Sequence, residues 1–282
     1  MNLDDLLLNR QLLLPGNGYN VAKTFESGQF FKYSKVPERD GYLVVSGNDC
    51  AFVRQRGSDV ELNIRPESDS DYWLNFLAID TDDLEVWRIM TSNPKLKEVY
   101  EFSEGIRVLR QDPVEALLYF IISQRNNIPR IKQCVNLLCQ MTGEQVGPDL
   151  WGAPVLTNIN KETLEHCRLG YRDAYLCDAA NRILTGRLDL QELQVNRCSP
   201  EKAVETLMTV QGVGPKVAGC VALYGLGHKS LFPIDVWVSR AMNCLSISHN
   251  DIKMYGDAAG LVQQHIFYYM LHKSPPFVVS PR

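Results

Sequence analysis

Between residues 20 and 65 the apolar positions come in short runs broken by turn residues. Phe30-Phe31-Lys32-Tyr33, Tyr42-Leu43-Val44-Val45, Cys50-Ala51-Phe52-Val53 and Val60-Glu61-Leu62-Asn63-Ile64 are spaced by Gly47-Asn48-Asp49 and Gly57-Ser58-Asp59. Runs rich in β-branched and aromatic residues between such clusters predict strands. Val60, Leu62 and Ile64 alternate with Glu61, Asn63 and Arg65, the period of a strand with one wet face. From about Thr81 the period lengthens to that of helices: Leu84, Trp87 and Met90, then Val114, Leu117, Leu118, Ile121 and Ile122 behind Asp112-Pro113, a cap followed by a first-turn proline. Further helices are predicted over 128–141, 161–167, 173–184 and 200–210, the last capped by Ser199. There is no internal repeat and no low-complexity tract. Strands followed by helices predict an α+β fold, an antiparallel sheet domain over 1–110 and an all-helical domain over 111–282.

The richest stretch runs from Thr209 to Asn243. A helix ends at Gly212-Val213-Gly214, and Pro215 opens the next one in the first-turn position that its missing N–H suits. Glycines leave the backbone amides of such a turn uncovered, and the free N–H groups and positive dipole end of the second helix hold a phosphate. Lys216 sits in that first turn, where the dipole disfavours further positive charge and so would make the amine more nucleophilic; an activated amine can attack a sugar carbon and form a Schiff base. Asp235, in Phe232-Pro233-Ile234-Asp235, reads as the N-cap of a third helix through Val236, Val238 and Met242. A lysine and an aspartate are thereby offered from two helix starts.

Charge and cysteine usage narrow the class. Acidic residues outnumber basic ones, 33 to 29, with 18 against 13 before position 111 and 15 against 16 after it. A non-specific nucleic-acid coat would be far more basic, so any grip on DNA must come from local placement. Eight cysteines without a C-x-x-C pair are not a disulfide framework; reduced thiols suit an intracellular protein. The leucine-rich start, 1–14, carries Asp4, Asp5 and Arg10 and no basic leader, unlike a signal peptide. The longest apolar run, 116–122, is far too short to span a membrane. The expectation is a soluble, monomeric protein of the cytosol, working at the nucleoid or, in a eukaryote, the nucleus. His166, His228, His249 and His265 have no ligand-like spacing, and Tyr268 and Tyr269 read as packing residues. No metal or organic cofactor is implied, although carbonyls of the hairpin turn could hold a monovalent cation.

Gln211-Gly212-Val213-Gly214-Pro215-Lys216-Val217-Ala218, followed by Pro233-Ile234-Asp235-Val236, resembles the helix–hairpin–helix (HhH-GPD) DNA glycosylases, and the lysine resembles members with a lyase step. Three further stretches are similar to the 8-oxoguanine DNA glycosylase/AP lyase branch: Gly105 to Pro113, Ile122-Ser123-Gln124-Arg125-Asn126-Asn127-Ile128-Pro129-Arg130-Ile131, and Leu169-Gly170-Tyr171-Arg172-Asp173-Ala174-Tyr175. So is Ser27-Gly28-Gln29-Phe30-Phe31-Lys32-Tyr33, so the resemblance spans roughly 20–270. It implies a TBP-like N-terminal sheet domain, double-stranded DNA containing 8-oxoguanine as partner, and base flipping into a pocket. Cys220 and Phe267 would sandwich the base, Gln263 would bond its Watson–Crick edge, and the carbonyl of Gly28 would accept from the N7–H that guanine lacks.

The same resemblance makes Lys216 the nucleophile at C1′ and Asp235 the stabiliser of the cationic sugar. β-Elimination from the imine then nicks the strand, as in base excision repair. Arg125, Asn126, Arg130, Tyr171 and Arg172 would fill the gap and read the partner base, preferably cytosine. Gly212, Gly214, Val217 and Trp237 would hold the backbone. Better-known animal members carry asparagine at the position of Arg125, a phosphate-contacting histidine at Trp237 and an aspartate at Met270, departures that bear on opposite-base stringency, phosphate grip and pocket electrostatics. Three rivals exist. A non-catalytic hairpin that only grips DNA would need neither Lys216 nor Asp235. A monofunctional alkylated-base glycosylase would lack the lysine. An iron–sulfur endonuclease would need four cysteines after the hairpin, where only Cys244 follows Asp235.

Overall fold

Cross-strand pairing of the alternating runs builds the N-terminal sheet. In the computed structural model, residues 6–273 are described; the predicted domain ends at 1 and 282, with Asp4, Asp5 and the Pro-rich tail from 274, lie outside the described residues. Strands β1 (Arg10–Leu14), β2 (Tyr33–Val36), β3 (Gly41–Ser46), β4 (Asp49–Arg56) and β5 (Asp59–Ile64) form one antiparallel sheet in the order β1-β5-β4-β3-β2. Leu12 pairs with Leu62, Leu62 with Val53 and Val53 with Tyr42, so one apolar row crosses four strands. Helices α1 (Val21–Phe25) and α2 (Ser70–Leu77) cover that row with Phe25, Trp73, Phe76 and Leu77.

Three expectations need correction here. The leucine-rich start contributes β1. Phe30 and Phe31 lie before β2, not in a strand; both are buried, Phe30 edge-on to Phe76 at 5.2 Å and Phe31 edge-on to Phe120 at 5.8 Å. Their apolarity serves tertiary packing. The polar face of β5 is only partly wet: Asp59 and Asn63 are half-buried, and Glu61 is 3% exposed, held by Arg54, Arg56 and Asn63. Burial pushes its carboxyl up, but those partners win and hold it below the usual carboxylate range.

The helical part comprises α3 (Leu84–Thr91), α4 (Pro94–Ser103), α5 (Pro113–Ser123), α6 (Ile128–Thr142), α7 (Lys161–Leu164), α8 (Arg172–Leu184), α9 (Pro200–Leu207), α10 (Pro215–Tyr224), α11 (Val236–Leu245), α12 (His249–Met254) and α13 (Ala259–His272). Helix appears before Thr81, in α1, where Asn20 caps Lys23 N–H, and in α2, where Asp69 caps Asp71 N–H. The helical part is also not all-helical. A hairpin of β6 (Gly143–Gly147) and β7 (Leu150–Pro154) follows α6 and closes the second face of the sheet, where Val146 and Leu150 pack with Leu43, Val45 and Phe52. Ala153 N–H donates to the Gly47 carbonyl at 2.7 Å, and Lys32 Nζ donates to the Trp151 carbonyl at 2.7 Å.

Asp112 caps α5 through the N–H groups of Val114 and Glu115, at 2.8 and 3.0 Å. Helices α5, α6, α8, α9 and α10 share one core, whereas α3 and α4 pack with α11 and α13 through Val86, Met90, Val99, Val238 and Ile266. Chain order therefore does not follow packing order: α3 and α4, which precede position 110, are built into the C-terminal helices.

Glu115 lies at the junction of sheet and helices, 1% exposed, with Oε1 accepting from Gly47 N–H at 2.8 Å and Oε2 unpartnered. Burial, then the nearby Asp112, pushes its carboxyl up to about 8. A raised carboxyl favours the folded state below its unfolded value of about 4.3 and loses that advantage as pH rises toward 8. Glu115→Gln is expected to flatten the fall in thermal midpoint between pH 5 and pH 8 and to exceed the wild type at pH 8. Parallel wild-type and variant melting curves would contradict this.

Candidate active site

The hairpin turn is shaped by what surrounds its glycines. Gly212 has φ +77°, and a Cβ there would fall 2.3 Å from the Tyr175 ring; both conformation and space demand glycine. Gly214, the N-cap of α10, offers no side chain to cap with, and a Cβ would meet open space. Ala218 N–H donates to the Gly214 carbonyl at 2.9 Å, which leaves the amides of Lys216 and Val217 ahead of the ladder. Val217 keeps its side chain in the core, 4% exposed, so contact with a ligand falls to its N–H alone.

Lys216 and Asp235 are carried by two segments in tight helix–loop contact. A Cβ on Gly219 would lie 3.4 Å from Pro233, so α10 packs closely on the segment that leads into Asp235. Asp235 Oδ1 accepts from Val238 N–H at 2.8 Å, the cap predicted for α11. The Cys220 thiol feels both groups: burial raises its pKa, Lys216 opposes that rise and Asp235 adds to it. Lys216 Nζ stands 5.5 Å from the centroid of Phe120, whose ring stacks on Tyr224 at 5.3 Å. Lysine, aspartate and a neutral thiol thus share one corner with an apolar wall.

The opposite wall comes from the other ends of the chain. Gly28 has φ +76°, and a Cβ there would lie 2.9 Å from Phe267 Cε1 and 3.2 Å from Ile128 Cδ1. Phe267 is half-buried on α13, one turn after Gln263, which is 5% exposed and has its Oε1 3.3 Å from the Tyr224 hydroxyl. Gly28, Gln263, Phe267 and Cys220 are therefore joined through Tyr224, Phe120 and Ile128. Those three are absent from the sequence expectations. Their signal is weak, because aromatic and aliphatic residues in apolar helices read as core.

The residues expected to face the opposite strand divide. Tyr171 is 50% exposed and stands edge-on to Tyr175, the ring beneath Gly212. Arg125 is exposed at φ +46°, a conformation unusual for arginine. Asn126 is half-buried, donating to the Ile122 carbonyl at 3.3 Å. Arg130 is exposed and borders a hollow of about 460 Å³ with Gln133 and Arg168; Arg168, C-terminal to a short 3-10 turn, was not anticipated.

Arg172, expected among the base-reading groups, is engaged here with backbone carbonyls. It is 7% exposed, and its guanidinium donates to the carbonyls of Gln124, Arg125 and Leu169 while stacking 4.6 Å over Tyr171. Its donors hold the Gln124–Arg125 loop and the strained Arg125 backbone. Trp237, half-buried, carries the Arg240 guanidinium 5.7 Å over its ring. Among the described residues no cluster of three or more His, Cys, Asp or Glu could hold a metal, and no helix is long and apolar enough to cross a membrane.

With this geometry in view, comparison with known proteins is direct. Residues 11–117 match the family model "8-oxoguanine DNA glycosylase, N-terminal domain". The N-glycosylase/DNA lyase OGG1 of Arabidopsis thaliana is 30% identical over 86% of this chain and 75% of its own length. The 8-oxoguanine glycosylase/lyase of Clostridium acetobutylicum, solved with double-stranded DNA carrying cytosine opposite 8-oxoguanine, is 32% identical, with a TM-score of 0.82 over 91% of this chain and 93% of that one. MBOgg1, solved with a low-affinity DNA ligand, is 32% identical, with a TM-score of 0.87 over 94% and 96%. The sheet-then-helices architecture is thus matched along almost the whole chain, and the chain belongs to the 8-oxoguanine DNA glycosylase family of the helix–hairpin–helix superfamily.

Proposed function

We propose that the family's activity, release of 8-oxoguanine from duplex DNA with cleavage of the abasic strand, is carried in this chain by Lys216 and Asp235. The observation that carries the reading is the shared corner of Lys216, Asp235 and Cys220 at the first turn of α10. The Lys216 amine forms the bond to C1′ as the glycosidic bond breaks, and the base leaves with the bonding pair and takes a proton. The Asp235 carboxylate stabilises the positive sugar between those events. Opening of the C1′–O4′ bond, with the ring oxygen leaving as a hydroxyl, gives the imine, and loss of its C2′ proton then expels the 3′ phosphate. The thiol of Cys220, kept protonated by burial, acts as a neutral face for the base rather than as a rival nucleophile.

In this reading the module of residues 1–110 contributes Gly28 and the module of 111–282 the catalytic groups and hairpin. The free amides of Lys216 and Val217 bind a backbone phosphate next to the lesion, with Gly212 and Gly214 giving access. Gln263 and the Gly28 carbonyl read the flipped base between Cys220 and Phe267. Tyr171 fills the gap, Arg125, Asn126 and Arg130 face the partner base, Arg172 supports their loop, and Trp237 lies along the backbone. The protein acts as a monomer. Lys216 argues against the alkylated-base reading, because an aspartate-driven glycosylase needs no amine there.

Borohydride reduction of a reaction on duplex DNA with 8-oxoguanine opposite cytosine is expected to yield a covalent protein–DNA species that Lys216→Gln abolishes. Asp235→Asn keeps the cap, since asparagine caps well, and is expected to lower excision by about a hundredfold or more. Base release without a trapped species would instead favour a monofunctional glycosylase. Arg130→Ala is expected to lower the preference for cytosine over the other opposite bases by roughly tenfold, in the range of one lost base contact. Single-turnover rates on the four duplexes check this; an unchanged ranking removes Arg130 from base reading.

A further inference from the structure

The peptide of Gly28 lies between two anchored neighbours. The Ser27 carbonyl accepts from Gln264 Nε2 at 2.8 Å, and the Gln29 carbonyl accepts from Gln111 Nε2 at 2.7 Å. The Gln29 side chain adds donors to the Arg107 carbonyl and Ser27 Oγ, each at 2.8 Å, and accepts from Leu109 N–H at 2.8 Å. No hydrogen bond among the described residues reaches the Gly28 carbonyl between them. A glycine at φ +76° has wide backbone latitude, so the direction of its free carbonyl depends on the anchors on either side.

Gln264 is the anchor that ties this loop to the base pocket. It is fully buried on α13, between Gln263 and the turn that presents Phe267. Its amide orientation is fixed by a second contact, because the Tyr224 hydroxyl donates to Oε1. With Oε1 so occupied, the NH2 group faces the Ser27 carbonyl; the flipped amide would set oxygen against oxygen. The Tyr224 ring is in turn held against Phe120. Its hydroxyl also lies 3.3 Å from Gln263 Oε1, but its single proton goes to the nearer Gln264, so the phenol braces the glutamine behind Gly28.

We propose that Gln264, braced by Tyr224, is a positioning residue for lesion recognition: its bond to the Ser27 carbonyl aims the Gly28 carbonyl at the N7–H that distinguishes 8-oxoguanine from guanine. The inference rests on the reading of Gly28 given above. Gln264 does not touch the base. It removes backbone freedom that a free Gly28 peptide would lose only on binding, and so raises affinity for the base that donates there.

The test compares two duplexes, one with 8-oxoguanine and one with the same base carrying carbon at position 7, which keeps the shape but cannot donate. Affinities are measured in the Lys216→Gln background, where neither base is released, for the parent, for Gln264→Met and for Tyr224→Phe. Thermal unfolding of each variant establishes that it is folded. The parent is expected to prefer 8-oxoguanine, and each variant to lose roughly three- to tenfold of that preference, with affinity for the carbon analogue little changed. A parent indifferent to the two bases overturns the Gly28 reading and this inference with it. A parent that discriminates, with variants that keep the full preference or weaken on both bases equally, overturns the role of Gln264 alone. Should Gln264→Met not fold, Tyr224→Phe, which removes a single oxygen, decides by the same comparison.

Discussion

The close approach of α13 to the loop at Gly28 is the constraint on which the site depends. The two segments are 237 residues apart at the Gln264–Ser27 bond, and a Cβ on Gly28 would lie 2.9 Å from Phe267. A base pocket needs one wall that stacks and one that reads hydrogen bonds. In the proposed reading the stacking ring of Phe267 and the reading backbone of Gly28 belong to opposite ends of the chain, brought together when the sheet docks on the helices. Phe31 on Phe120, Lys32 on the Trp151 carbonyl and Glu115 on Gly47 N–H are the docking contacts. The proposed base site is therefore assembled where sheet and helices meet.

Net charge plays almost no part in this arrangement. In the proposed reading an acidic chain grips a polyanion through a few well-placed groups: uncovered amides at the start of α10, exposed Arg125 and Arg130, and an exposed Tyr171 braced on Tyr175 beneath the hairpin. Arg172 illustrates the opposite use of the same side chain. Its planar fork, directed at backbone carbonyls, stabilises a loop conformation that an arginine at φ +46° would otherwise leave.

The helix ends that carry the proposed catalytic pair were legible because their signals are local. Glycines, a first-turn proline and a capping aspartate define helix ends within a few residues, and the structure reproduces those ends at Gly214 and Asp235. The strands at 41–46, 49–56 and 59–64 were legible for the same reason. What escaped depends on distant partners. Glu61 reads as solvent-facing until Arg54 and Arg56 close over it; the β6–β7 hairpin is too short and glycine-rich to alternate; Arg172 reads as a surface cation until the 124–125 carbonyls surround it. Gln264 did leave a trace: Gln263-Gln264-His265 is a polar run inside an otherwise apolar helix, and buried polar groups require partners. His265 repeats the theme, bonded to Ser103 at 2.7 Å and kept neutral by burial, which pushes it down to about 3.

The central claim is that one amine, Lys216, forms the covalent bond to the sugar. Other amines stand in altered surroundings; burial lowers the pKa of Lys132, which lies 3.5 Å over the Tyr33 ring, so electrostatic setting alone does not single out the nucleophile. Proteolysis of the reduced protein–DNA species and mass spectrometry of the peptide that retains the sugar remnant identify the amine directly. The account predicts the remnant on Lys216; finding it on Lys132, or on any amine outside the hairpin, would contradict it.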